Sequence, residues 1–277
     1  THIIEPIAQV ILRPDEVTDR ALVNEDAQSL VFDDTNIFAI SKFSGYDRFE
    51  GGLRSNYGAQ YSARFDSGAF ASFMFGQSYQ MAGRNSYANP DAANIGLSSG
   101  LDTKQSDYVA RAAISVDNYS FIAKTRMDPY DMHMRRLDLL ASGRFGDLTT
   151  SLQYARYEAQ PYLGYDKRRE GIVASSSYTF DKNYFANGTV IFDLARQTTS
   201  NNSSNPTFSV AGLGLGAGYR DECATLSVNF TSTYPQNTSG PSARNQTVIV
   251  QLILRTLGQA RISTAVSALT GTDGVSH

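Results

Sequence analysis

The chain of 277 residues carries 16 Tyr, 15 Phe and 22 Gly, no Trp and 41% hydrophobic residues. It has no run near the ~18 apolar residues of a membrane-spanning helix, which excludes a helical membrane protein but not a β-barrel, whose strands are apolar on one face only. A net charge of −3 with dispersed basic residues excludes the cationic surface of a nucleic-acid binder.

Period-two alternation runs from end to end and predicts strands throughout. The first covers 2–13; Thr1 leads straight into it with neither a start Met nor a signal peptide, so the chain is expected to be cut from something longer. A long polar connection, Pro14 to Glu50, follows. The second strand, 51–65, puts Leu53, Tyr57, Ala59, Tyr61, Ala63 and Phe65 on one face and Arg54, Asn56, Gln60, Ser62 and Arg64 on the other. Asp66-Ser67-Gly68 turns the chain into 69–81, where Ala69, Ala71, Phe73, Phe75 and Tyr79 oppose Ser72, Gly76, Ser78 and Gln80. A second long connection runs from Ala82 to Asp107.

Further strands are predicted at 108–116, 119–127, 133–145, 148–158, 169–180, 184–196, 208–220, 223–234 and 246–257, about twelve in all and each long enough to cross a bilayer at a tilt. Short Asp, Asn and Gly turns at Asp117-Asn118, Gly146-Asp147, Asp181-Lys182-Asn183 and Asp221-Glu222 alternate with longer polar connections, among them the Asn/Ser stretch Gln197 to Thr207. Sorting of short turns to one end and long loops to the other is the habit of outer-membrane barrels. The basic residues Arg54, Arg64, Arg111, Lys124, Arg126, Arg136 and Arg144 share registers with polar neighbours and are expected to face the lumen, because a cation on the lipid face costs ~2–4 kcal/mol. Phe65, Phe70, Tyr119, Phe145, Phe180, Tyr184 and Tyr219 bracket the short turns as an interfacial girdle. The clusters Arg135-Arg136 and Lys167-Arg168-Arg169 read as solvated surface. The fold class predicted is an all-β antiparallel transmembrane barrel.

Little in the chain points to chemistry. The histidines are His2, His133 and His277, two of them terminal, so no metal cluster has workable spacing. His133 with Asp131 sits at a strand end, without a nucleophile that sequence can place beside it. Gly212-Leu213-Gly214-Leu215-Gly216-Ala217-Gly218 contains a formal dinucleotide match, but the glycines recur at period two within a strand and read as a bare inner stripe that another chain could approach. Asp33-Asp34-Thr35-Asn36 suggests a phosphoryl-transfer or metal loop but has no second acidic cluster, so it reads as a hydrogen-bonded loop, with calcium binding there an unsupported alternative. No catalytic, cofactor-binding or metal residue is assigned. Cys223 is the one cysteine, so any disulfide must leave this sequence.

The connections carry an ordered series: Ile4-Glu5-Pro6, Asn24-Glu25-Asp26-Ala27-Gln28-Ser29-Leu30, Phe32-Asp33-Asp34-Thr35-Asn36-Ile37-Phe38 and Phe43-Ser44-Gly45-Tyr46-Asp47-Arg48. It continues through Phe75-Gly76-Gln77-Ser78-Tyr79 and Tyr154-Ala155-Arg156-Tyr157 to Cys223–Val228 and Val248–Leu257. The series resembles the barrel domain of the lipopolysaccharide-assembly family LptD, the organic-solvent-tolerance proteins. The resemblance implies a non-enzymatic outer-membrane transporter that inserts lipopolysaccharide into the outer leaflet. It implies that residues 1–277 are the C-terminal part of a barrel of about 26 strands, within the range such barrels reach, with a periplasmic N-terminal domain outside this sequence. It implies a plug lipoprotein, LptE, inside the barrel and periplasmic bridge proteins that deliver lipid to that N-terminal domain. It also implies a lateral gate along the last strand, with Gln246, Val248, Val250, Leu252, Leu254 and Leu257, and a disulfide from Cys223 to the N-terminal domain. The lumen-facing cations would contact lipid phosphates or acidic groups of the plug. A stand-alone twelve-stranded barrel, either a lipase- or protease-type enzyme or a porin, is the alternative.

Overall fold

The computed structural model of the protein describes residues 1–16, 24–27, 30–88, 96–195, 209–234, 245–254 and the backbone of 258–265. Its elements are β1 (His2–Arg13), β2 (Gly52–Arg64), β3 (Phe70–Ala82), β4 (Tyr108–Val116), β5 (Tyr119–Met127), β6 (Met134–Phe145) and β7 (Leu148–Tyr157). A 3₁₀ turn (Pro161–Leu163) precedes β8 (Arg169–Phe180), β9 (Tyr184–Asp193), β10 (Ser209–Arg220), β11 (Ala224–Thr233), β12 (Asn245–Leu254) and β13 (Gly258–Ala265). The fold is all-β and antiparallel. No helix among the described residues is long and apolar enough to cross a membrane.

The chain divides into two units, Thr1–Leu140 with Ala155–Arg169, and Ala141–Tyr154 with Glu170–His277. Within the first, β1 to β5 pair in chain order; within the second, β8 to β13 do the same. Neighbours in sequence are thus neighbours in the sheet, as short hairpins require. The turn chemistry is visible in the backbone: Gly68, Asp117, Gly146, Asp181 and Lys182 all have positive φ, at positions where the sequence offers Gly, Asp or a hairpin turn.

Register sorts the side chains of the first unit into two faces. On one lie Ile4, Val10 and Leu12 of β1 with Tyr57 and Tyr61 of β2, Phe73 of β3, Ile114 of β4 and Phe121 of β5, all left uncovered, Leu12 by as much as 78%. On the other, Gln9, Asn56 and Ser78 align, as do Met74, Arg111 and Lys124. The second unit repeats the pattern: Leu215, Leu226, Val228, Val250 and Leu252 are exposed on one face, while Asn187, Thr189, Asn229 and Thr231 flank the glycines of β10 on the other. Water would not tolerate so much exposed aliphatic and aromatic surface in a monomer; lipid does.

Three expectations need correction. The sheet does not end with a strand at 246–257: β12 stops at Leu254, and β13 takes up its second ladder from Thr247↔Ala265 to Leu254↔Gly258. The Gly258-Gln259 start hid a short strand that alternation alone did not flag; Leu257 lies outside the described residues. Phe70 pairs with Arg64 and so shares the polar register, apart from the other girdle rings. Finally β9 ends at Asp193, whose carboxylate accepts the Ala195 amide, while the Leu194 amide still reaches Glu170 of β8; position 196 lies outside the described residues.

Candidate functional site

The polar face of β2 to β5 is not bare. The two long connections fold onto it and build the apolar cluster of the first unit. Ala27, Phe32, Ile37, Phe43, Tyr87 and Leu101 come from the connections; only Met74 and Val109 come from strands. The strands make room with glycine. Gly58 and Gly76 are cross-strand partners. A Cβ at Gly76 would lie 3.3 Å from Ile37 Cγ1, and one at Gly58 would lie 3.2 Å from Phe38 Cζ. Two adjacent strands thus present a shallow seat for Ile37 and Phe38 where side chains would otherwise stand. Phe43 stacks on Tyr87 with ring centres 4.5 Å apart.

Two of the sequence motifs brace each other in this segment. The Asp26 carboxylate accepts the amides of Tyr46 and Asp47 at 2.8 and 3.0 Å, and the Asp47 carboxylate accepts those of Glu25 and Asp26 at 2.8 and 3.2 Å. The Tyr46 and Asp47 amides hold the Asp26 carboxyl below its ordinary range. A Cβ on Gly45 would meet the Asp26 carbonyl carbon at 2.6 Å, so the close approach requires glycine there.

Beneath the cluster lies a sealed ionic layer. Lys42 Nζ is 3.1 Å from Glu50 Oε1, and Glu50 Oε2 is 2.6 Å from Arg54 Nη1, with all three side chains essentially buried. Arg54 also donates to the Ile40 carbonyl at 2.7 Å, and the Arg48 fork grips Glu16 at 2.5 and 3.2 Å. Burial, helped by the Arg54 charge, pushes the Lys42 ammonium down to about 7. Ser78 donates to Asn56, which donates to Gln9, carrying the network across three strands.

Two further clusters sit toward β4, β5 and β6. Asp34 bridges Lys124, at 2.7 Å through Oδ1, and Arg111, at 3.6 Å through Oδ2; Asp33 stands 3.9 Å from Lys124. Asp33 also accepts the Thr35 amide and hydroxyl, so the loop is hydrogen-bonded as its sequence predicts, but its second carboxylate is spent on the strand cations. Asp107 lies 3.1 Å from Arg126 Nε and 3.5 Å from Arg135 Nη1, and Arg135 also pairs with Asp128. Burial raises the Asp107 carboxyl to about 6 against the lowering pull of both arginines. Asp128 is held low, since the amides of Tyr130 and Asp131 and the Arg135 charge outweigh its partial desolvation. Beside this cluster a polar cavity of about 340 Å³ is lined by Ser98, Asp131, His133, Glu158 and Gln160 among others. His133 Nε2 lies 2.9 Å from Glu158, and among the described residues no hydroxyl or thiol bonds its ring.

The predicted lumen-facing set therefore divides. Arg54, Arg111, Lys124 and Arg126 lie on the polar face and each meets a carboxylate of the connections. Arg136 pairs with Asp138 two residues on and lies over the Tyr157 ring at 5.2 Å. Arg64 and Arg144 are exposed near short turns. The clusters read as solvated surface are engaged instead: Arg135 pairs with two aspartates, and Arg169 stacks on Tyr165 at 3.6 Å. Sequence reasoning passed over Glu16, Lys42, Glu50, Asp107 and Asp128, whose partners are 4 to 32 positions away and follow no period. In the second unit, Gly212 and Gly214 floor a groove of about 280 Å³ walled by Thr189, Ile191, Thr231 and Thr233. Cys223 is exposed at the turn before β11, its amide bonded to the Asp221 carboxylate. Among the described residues no cluster of His, Cys, Asp and Glu could hold a metal ion.

A comparison with curated proteins found no match. A comparison with protein families matches residues 1–184 to the family described as LptD: LPS transport system D. The match takes in the two connections and the strands they cover. It stops short of the segments at Cys223–Val228 and Val248–Leu257.

Proposed function

The chain belongs to the LptD family of lipopolysaccharide transport at the outer membrane, and from that premise we propose that it forms one wall of a larger barrel through which the lipid passes without covalent chemistry. The apolar face meets the bilayer and the polar face lines the lumen. What carries this reading is the two-faced register of the strands, combined with a polar face that is upholstered by the chain's own connections. An amphiphile with phosphorylated sugars needs such a polar passage, and its acyl chains need an exit into lipid.

Among the described strands β1 has β2 as its one partner, and lipid cannot satisfy the open amides and carbonyls of its other edge. Further strands of the parent protein would pair there, making residues 1–277 the C-terminal part of the barrel, with a periplasmic domain elsewhere in the parent that receives lipid from bridge proteins. The plug lipoprotein LptE would occupy the lumen against this wall, where the threonine-walled groove over Gly212 and Gly214 admits close backbone approach. The lateral gate, expected along Gln246, Val248, Val250, Leu252, Leu254 and Leu257, would extend to β13, since among the described strands β12 pairs with both β11 and β13 while β13 has β12 as its one partner. The exposed Cys223 would bridge to the N-terminal domain.

The test is photocrosslinking in cells, with a photoreactive residue on the polar register at Gln60 of the full-length protein. Lipopolysaccharide adducts at Gln60 that vanish when lipid delivery is stopped are expected. A Gln60 position that never captures lipopolysaccharide while transport proceeds would refute the lumenal path.

A further inference from the structure

Arg111 and Lys124 are direct cross-strand partners on the polar face. Like charges placed opposite one another destabilise an antiparallel pair unless an anion lies between them. Asp34 is that anion, and its geometry is specific: one carboxylate oxygen goes to each cation, 2.7 Å to Lys124 and 3.6 Å to Arg111. Two oxygens of a phosphate monoester would span the same pair of cations, with more charge to offer. Ser72 adds a hydroxyl 3.4 Å from the Arg111 guanidinium, within reach of a third oxygen.

Exposure separates this cluster from the sealed pairs beside it. Lys42 and Glu50 are 0% and 3% exposed, whereas Arg111 and Lys124 keep 33% and 28% of their side chains open. Asp34 can also leave without its segment, since Phe32 and Ile37 on either side are fully buried and anchor the backbone independently. The ion pair, with its cations about a third exposed and Asp34 itself 9% exposed, contributes less to that anchoring than two fully buried apolar side chains. The carboxylate is therefore free to exchange by a side-chain rotation.

We infer that Arg111 and Lys124 are a subsite for a phosphate group of the transported lipid, and that Asp34 is its internal stand-in, filling the site until the phosphate replaces it. This rests on the transport reading above. Between lipids, the carboxylate keeps two facing cations neutralised; during passage, the phosphate takes over both contacts. Asp33, fixed by its bonds to Thr35, stays behind as the weaker neighbour.

The experiment measures binding of bisphosphorylated lipid A, dephosphorylated lipid A and inorganic phosphate to the full-length protein with its plug partner in detergent. Asp34→Asn should tighten binding of the bisphosphorylated lipid roughly five- to ten-fold and leave the dephosphorylated lipid unchanged. The double variant Arg111→Gln/Lys124→Gln should lose the preference for the phosphorylated form. Phosphate preference that survives the double variant, or that Asp34→Asn does not alter, overturns the subsite. Inorganic phosphate competing as well as the lipid at equal concentration overturns its assignment to a lipid headgroup. Heat-modifiable migration checks folding, and if Asp34→Asn fails that check, the double variant decides alone. Wild-type protein that binds neither lipid form refutes the transport reading itself, whereas binding that ignores phosphate in every variant refutes only the subsite.

Discussion

Phe32→Ala is the sharpest way to ask what holds the first connection on the wall. Phe32 is fully buried among Ile37, Met74 and Val109, and truncating such a ring costs ~3–5 kcal/mol. The Asp34 ion pair, with its cations a third exposed, contributes ~0.2–1 kcal/mol. Burial therefore dominates, and the variant should raise the open population of the segment by roughly 10²- to several 10³-fold. The strands should not follow, because their ladders and lipid-facing side chains do not depend on Phe32. Hydrogen exchange on the full-length protein in nanodiscs reads both. Amides of 33–42, including Ala39 bonded to Asn36, should lose protection, while those of β2, β3 and β4 keep theirs. Gly76→Val should act in the same direction from the wall side, since its Cβ would press on Ile37 Cγ1 at 3.3 Å and overpacking costs ~1–3 kcal/mol. Unchanged exchange in 33–42 would refute the seat, and loss of protection across all five strands would show that the segment is integral to the wall.

Asp107 makes the second connection sensitive to acidity. Its folded value of about 6 lies above the ordinary 3.8, a gap worth roughly 3 kcal/mol. The stabilisation it contributes is complete below about pH 3.8 and is lost as pH rises through about 6. After correction for intrinsic rates, the Ser106 and Asp107 amides, bonded to Ser78 and Gly100, should exchange roughly ten-fold more slowly from the folded state at pH 5 than at pH 7.5; Asp107→Asn should erase that difference, and a reversed trend would mean the two arginines outweigh desolvation. For Cys223, non-reducing electrophoresis of the full-length protein should show a mobility shift that Cys223→Ser abolishes, and identical migration of the two removes the bridge.

The strands were legible because membrane and lumen impose a period of two on every one of them. Tyr57 and Tyr61 against Asn56 and Ser62 are enough to orient β2, and Asp66-Ser67-Gly68 or Asp181-Lys182-Asn183 punctuate without ambiguity. β13 escaped because eight residues starting at Gly258 offer too few alternations. The connections were opaque for a different reason. Phe32, Ile37 and Phe43 look like stray apolar residues in a polar loop until the glycines at 58 and 76 are seen to face them, and pairing of Gly58 with Gly76 depends on a register that sequence alone leaves open. The loop motifs carried the family, yet what they do there, Asp26 and Asp47 trading backbone bonds, follows no local spacing.

The signs of the charges follow the same division. In these clusters the cations Arg54, Arg111, Lys124, Arg126 and Arg135 stand on strands, while the carboxylates Asp34, Glu50 and Asp107 that meet them come from the connections. A strand residue is fixed in the wall by two ladders, but a connection is held by what it buries and pairs. In the pairs that join wall to connection, placing the cations on the rigid partner and the anions on the movable one means that displacing a connection uncovers strand cations. For a passage that must accept a polyanionic headgroup, this is the useful polarity. The sealed Glu50 then acts as a fastening, and Asp34, whose partner cations keep about a third of their side chains open, is the carboxylate positioned to yield to a phosphate.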